Sequence, residues 1–186
     1  MESLNVAVLV GSLRKASFNQ KIAQVLREVA PEALNLSPIS IGELPFFNED
    51  LEPTPPDSWE SFRAQIRAAD AVLFVTPEYN RSVPAVLKNA LDVGSRPYGK
   101  SVWDGKPGGV VSVSVSAAGG FGANHHLRQS LVCLNVPVLQ QPEAYIGMVG
   151  QLFDEQGTLI NASSRQFLTH YMQAYAKWIK RNLERG

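Results

Sequence analysis

The chain has 186 residues, 45% of them hydrophobic, and its 17 Lys and Arg balance 17 Asp and Glu at a sequence pI near 6.8. That length fits one domain over residues 1–186 with a full core, and the even charge offers no basic excess for nucleic acid or an anionic membrane. Cys133 is the only cysteine, which excludes an internal disulfide or a thiolate metal cluster, and no signal peptide or apolar span opens the chain, so a cytoplasmic location is expected.

Val6 to Val10 is an unbroken apolar run, the pattern of a parallel strand buried on both faces. Phe18, Ile22, Val25, Leu26 and Val29 then recur at helical spacing up to Pro31. Between strand and helix stands Gly11-Ser12-Leu13-Arg14-Lys15-Ala16-Ser17-Phe18-Asn19, where hydroxyls, a guanidinium, an amide and the free N–H groups of a helix start converge. A helix N-terminus presents unpaired donors and the positive end of its dipole, and Arg14 adds a charge-assisted pair, so the segment reads as a phosphate cradle. As a plain N-cap, Ser17 alone would explain only itself. The cradle lacks the second glycine and Lys-Ser pair of a Walker loop, the glycine fingerprint of a dinucleotide fold, and the cysteine nucleophile of a phosphatase loop. It suits a terminal monophosphate.

Leu34 to Ile41 predicts a second strand, placed at a sheet edge by Pro38, and Gly42 to Pro56 a folded loop with Leu44-Pro45-Phe46-Phe47 packing inward. Asp57 and Glu60 predict a capping box for a second helix whose inner face is Trp59, Phe62, Ile66 and Ala69. Ala71 to Thr76 is a third strand. After it come Pro77-Glu78-Tyr79-Asn80-Arg81-Ser82 and a third helix, expected to be capped by Ser82 with Pro84 in its first turn and ended at Gly94 to Pro97. Lys106 to Ser116 is a fourth strand, Ala117 to Asn124 a glycine-rich loop, and Asn124 to Leu134 a fourth helix in which Cys133 is expected to be buried. Val136 to Ile146 holds the last strand, blurred by Pro137 and Pro142. Ser163 and Gln166 are expected to cap a final helix with Phe167, Leu168, Tyr171, Tyr175, Trp178 and Ile179 on its inner face.

Alternating strands and helices give an α/β fold, a doubly wound five-stranded parallel sheet in the order 2-1-3-4-5 with helices on both faces. Ligands of such sheets bind beyond the carboxyl ends of the strands, where the strand order reverses, so the loops after strands one, three and four converge there. The first would hold phosphate, while Pro77 stiffens the backbone of the second and Glu78, Tyr79 and Asn80 offer successive N–H donors to a flat heterocycle. The glycine loop admits close approach, and Ser116 at its start can add a hydroxyl. Together they describe an elongated ligand of the flavin mononucleotide kind. Adjacent His125 and His126 point about 100° apart on a helix and find no ligand partner at metal spacing, so no metal site is expected.

The motifs G-S-L-R-x-x-S-x-N and T-P-E-Y-N-x-S-x-P-x-x-L-K-N-A-L-D resemble those of the NADPH-dependent FMN reductase family, over the chain from Val6 to about Ile146. That family has a flavodoxin-like fold and includes quinone, azo-dye and chromate reductases. The resemblance implies that Ser12, Arg14, Ser17, Phe18 and Asn19 bind the FMN phosphate and that Pro77, Glu78, Tyr79 and Asn80 line the isoalloxazine ring, with Ser116 and Gly119 at its other edge. It implies hydride transfer from NADPH or NADH through bound FMN to quinones, azo compounds, free flavin or chromate, with no catalytic side chain. It also implies a homodimer or homotetramer, with Arg128 and Glu143 near a neighbouring subunit, against the alternative of a salt bridge within one chain. A flavodoxin-like electron carrier that binds FMN without turning over NADPH is the alternative function, and a flavin-free nucleotide-binding protein of the same fold a third.

Overall fold

The computed structural model of the protein describes residues 3–184. Strands β1 (Leu4–Val10), β2 (Leu34–Pro38), β3 (Ala71–Thr76), β4 (Gly108–Val113) and β5 (Ala144–Ile146) form one parallel sheet in the order β2-β1-β3-β4-β5. The register pairs Val6 of β1 with Leu36 of β2 on one side and with Ala71 of β3 on the other. Successive side chains of a strand point to opposite faces, which is why the central strands are apolar without interruption. Val6, Val8, Val10, Leu73, Val75, Val111 and Val113 pack under α1 (Phe18–Glu28) and α5 (Ala162–Leu183). Ala7, Leu9, Val72, Phe74 and Val110 pack under α2 (Asp57–Ala68), α3 (Ala85–Gly94) and α4 (Phe121–Cys133).

The helices take the inner faces expected of them. Trp59, Phe62 and Ile66 of α2 are buried, as are Ile22, Val25 and Leu26 of α1 and Leu168, Tyr171, Tyr175 and Ile179 of α5. Each such side chain contributes roughly 1.5–3 kcal/mol by leaving water. Phe167 and Trp178 are only partly buried and pack against the same core.

Several ends differ from the sequence reading, each for a local reason. Strand β2 stops at Pro38, opposite Val8 on the sheet edge, where a missing N–H is tolerated. Strand β4 ends at Val113, short of Ser116. Pro137 and Pro142 confine β5 to three residues, leaving Val138 as an isolated bridge to Gly108. Helix α2 has no capping box: Asp57 lies inside the helix, Pro56 occupies the cap, and Glu60 pairs with the buried Arg63. Ser82 does not cap α3, which starts after Pro84, because its hydroxyl is engaged elsewhere. Helix α4 begins at Phe121, three residues earlier than expected, since Gly120 takes the left-handed cap conformation (φ 77°) that a side chain would resist. In α5 the cap is Asn161, whose Oδ1 accepts from the Ser164 N–H at 2.8 Å. Cys133 is exposed, because Leu127 and Leu131 define the buried stripe of α4 and Cys133 lies two residues beyond it.

Candidate active site

The loops after β1, β3 and β4 meet at the carboxyl ends of the strands, beside the β1/β3 junction where the order reverses. They enclose a cleft of about 140 Å³ that opens to solvent.

The β1 loop supplies Ser12, Arg14, Ser17, Phe18 and Asn19 to the cleft. Ser12 and Ser17 are almost fully buried, an unusual place for hydroxyls without a purpose. Ser17 caps α1, its Oγ accepting from the Gln20 N–H at 3.3 Å, so its own O–H remains available to donate. The first turn of α1 carries no acidic side chain to compete with an anion. Asn19 is buried in the cleft wall, and its Oδ1 has no hydrogen-bond partner. Arg14 is exposed at the mouth. Buried hydroxyls and an acid-free helix start form a donor set that fits a phosphate, and the unpartnered Asn19 Oδ1 is an acceptor for hydroxyls beside it.

The β3 loop contributes Pro77, Glu78 and Tyr79. Pro77 is buried and Tyr79 half exposed, giving the cleft an apolar wall. Both oxygens of the Glu78 carboxylate are spoken for: Oε1 by Arg81 at 2.9 Å and Oε2 by the Ala123 N–H at 3.0 Å. Its carboxylate therefore organises the protein, and what it offers a ligand is backbone.

Not every expected residue reaches the cleft. Asn80 stands on the outer tip of the turn and Ser116 is exposed, its Oγ 3.0 Å from that of Ser114. Gly119 packs on the backbone of Tyr145, where a Cβ would come within 2.7 Å of its carbonyl carbon. In their place the wall is completed by Val113, Ser114, Val115 and Val149. The end of β4 was within reach of sequence reasoning, since β4 stands beside β3, and β3 beside β1, the two strands that carry the other loops. Val149 follows the proline-broken β5 and left no such signal.

Beyond the cleft, Arg128 donates to Asn124 Oδ1 and to the Leu139 carbonyl, both at 2.9 Å, and its second terminal nitrogen is buried without a partner. It makes no ion pair with Glu143, which lies instead 3.8 Å from His125 Nε2. The Tyr145 hydroxyl, 2.8 Å from that same nitrogen, has its pKa pushed up to about 12 by burial and by the neighbouring Glu143. Among the described residues, no three His, Cys, Asp or Glu side chains are grouped to hold a metal ion, and no helix is long and apolar enough to cross a membrane.

The family model of NADPH-dependent FMN reductase matches residues 4–151, which takes in all the cleft residues. The chain belongs to this family. It is accordingly an NAD(P)H-dependent oxidoreductase that uses FMN, and the donor set of the β1 loop fits the phosphate end of that cofactor. Among proteins similar to this chain, a quinone reductase of Pseudomonas putida is 59% identical over 96% of each chain. A 2-hydroxy-1,4-benzoquinone reductase of Burkholderia sp is 43% identical over 96% of this chain and 97% of its own. The solved structure of FerB, a flavoenzyme NAD(P)H:(acceptor) oxidoreductase from Paracoccus denitrificans, superposes with a TM-score of 0.91 at 37% identity, covering 96% of this chain and 98% of its own.

Proposed function

We propose that this single domain is a quinone reductase, carrying hydride from NADPH or NADH by way of bound FMN to a quinone. The observation that carries the reading is the cleft itself, with a phosphate-type donor set at one end, an apolar wall at the other and one open side. FMN, when bound, supplies the hydride chemistry. The chain's own residues bind and orient it. Ser12, Arg14, Ser17 and Asn19, with the Phe18 N–H, would hold the phosphate, and Pro77, Glu78 and Tyr79 would border the ring through backbone and apolar surface. Val113, Ser114, Val115 and Val149 would complete that border. Asn80 and Gly119 would act by shaping the loops, and Ser116 through Ser114.

An open face discriminates little among flat or small oxidants, so azo compounds, free flavin and chromate belong to the proposed acceptor range alongside quinones. Leu13 and Val115 are exposed apolar side chains on two loops of the cleft, which supports a homodimer or homotetramer with Arg128 and Glu143 near its interface. The cytoplasm is the proposed location.

The test is anaerobic. Protein loaded with FMN should lose its visible flavin absorbance on adding NADPH and regain it on adding benzoquinone. A protein that takes up FMN yet keeps its absorbance with both NADPH and NADH would be an electron carrier, and one without FMN affinity would sink both readings.

A further inference from the structure

The turn that brings Tyr79 to the cleft is strained, and it is fastened from behind. Tyr79 and Ser82 exchange both backbone hydrogen bonds, at 3.1 and 3.0 Å, closing a two-residue turn. The residues between them, Asn80 and Arg81, have φ of 50° and 64°. Asparagine tolerates that left-handed conformation, but arginine is held there only if the surroundings over-determine it. Two contacts to α4 do so. Glu78 Oε2 accepts from the Ala123 N–H in the first turn of the helix, and one turn further on His126 Nδ1 lies 2.7 Å from Ser82 Oγ. The helix comes this close because residue 122 is glycine, where a Cβ would stand 2.9 Å from Glu78 Oε2 and 3.0 Å from the Arg81 carbonyl oxygen.

His126 does not line the cleft, and its ring nitrogen engages a residue just beyond the cleft wall. We infer that His126 is a positioning residue: through Ser82 it locks the Tyr79–Ser82 turn against α4 and so sets the cleft wall that receives the ring. This rests on the FMN reading above. The imidazole acts through one named atom, Nδ1, and that makes its role separable from bulk. Asparagine places its amide near the position of Nδ1, whereas glutamine places it near Nε2.

The experiment uses the full chain with His126→Ala, His126→Gln, His126→Asn and Ser82→Ala, and the double variant Ser82→Ala/His126→Ala. Amide hydrogen exchange of the 79–82 turn is measured without FMN, and FMN affinity and the shape of the visible flavin band are measured with it. Exchange should quicken in His126→Ala, His126→Gln and Ser82→Ala, and stay as in the parent in His126→Asn. FMN affinity should fall roughly three- to tenfold in the same three single variants, as for one lost hydrogen bond, with a changed band shape, and the double variant should be no worse than either single alanine variant. Unchanged exchange in His126→Ala would overturn the tether. Equal losses in the Asn and Gln variants, or altered exchange with parental affinity and spectrum, would overturn the positioning role. A parent protein that exchanges as expected but fails to bind FMN would defeat the functional reading and leave the tether standing.

Discussion

Arg14 and Ser17 stand at opposite extremes of exposure within one cradle, and their substitution should have different signatures. Arg14 makes no side-chain hydrogen bond or ion pair among the described residues, so Arg14→Ala should leave thermal stability unchanged. It should weaken FMN binding by about 1.5–3 kcal/mol, the value of a charged hydrogen bond, measured by fluorescence titration. Ser17→Ala removes a helix cap as well as a ligand donor, so it should lower stability by about 1 kcal/mol in the absence of FMN and weaken binding too. Placement that depends on chain-local geometry was legible: Ser12, Ser17 and Asn19 follow a strand and open a helix, and all three line one cleft. Cys133 was not, because its neighbours Leu131 and Val132 suggested burial while the helical phase set by Leu127 and Leu131 turns it to solvent. Glu78 lines the cleft as expected, but the task of its side chain was not legible. Its carboxylate serves Ala123, 45 residues away, a pairing that no local pattern announces.

At the scale of elements, apolar periodicity located α1, α2, α3 and α5, and continuous apolar runs located the three long central strands, because burial on both sheet faces writes itself into consecutive residues. The ends were harder to read, since several side chains near a helix start compete for the same orphan N–H groups and tertiary contacts choose among them. Helix α5 shows this directly. Asn161 caps it, while Ser163 only donates to Asn161 Oδ1 at 2.8 Å from the exposed side. Asn161→Ala should therefore destabilise the protein by about 1 kcal/mol and Ser163→Ala by no more than a few tenths. Urea titration of both variants separates the two, and equal losses would return the cap to Ser163.

The molecule as a whole is joined across its sheet by two phenols that the sequence shows only as members of an apolar face. Tyr171 donates to the Val110 carbonyl at 3.2 Å, and Tyr175 to that of Val72 at 2.6 Å, so α5 is bonded to both β3 and β4 beneath the cleft. Burial raises the pKa of both hydroxyls well above the ordinary tyrosine range. In the unfolded chain they ionise near pH 10, whereas the folded protein keeps its protons to higher pH. Above about pH 10 the folded state thus binds more protons than the unfolded state, and stability falls as pH rises; below it the contribution is complete. Tyr175→Phe should lower stability at pH 7 by about 1–2 kcal/mol through the lost hydrogen bond. It should also flatten the alkaline decline by up to about 1.4 kcal/mol per pH unit, one proton's worth. Comparing denaturant midpoints of the two proteins from pH 8 to 11 cancels every other titrating group, and parallel curves would mean that the Tyr175 phenol ionises as freely in the fold as out of it.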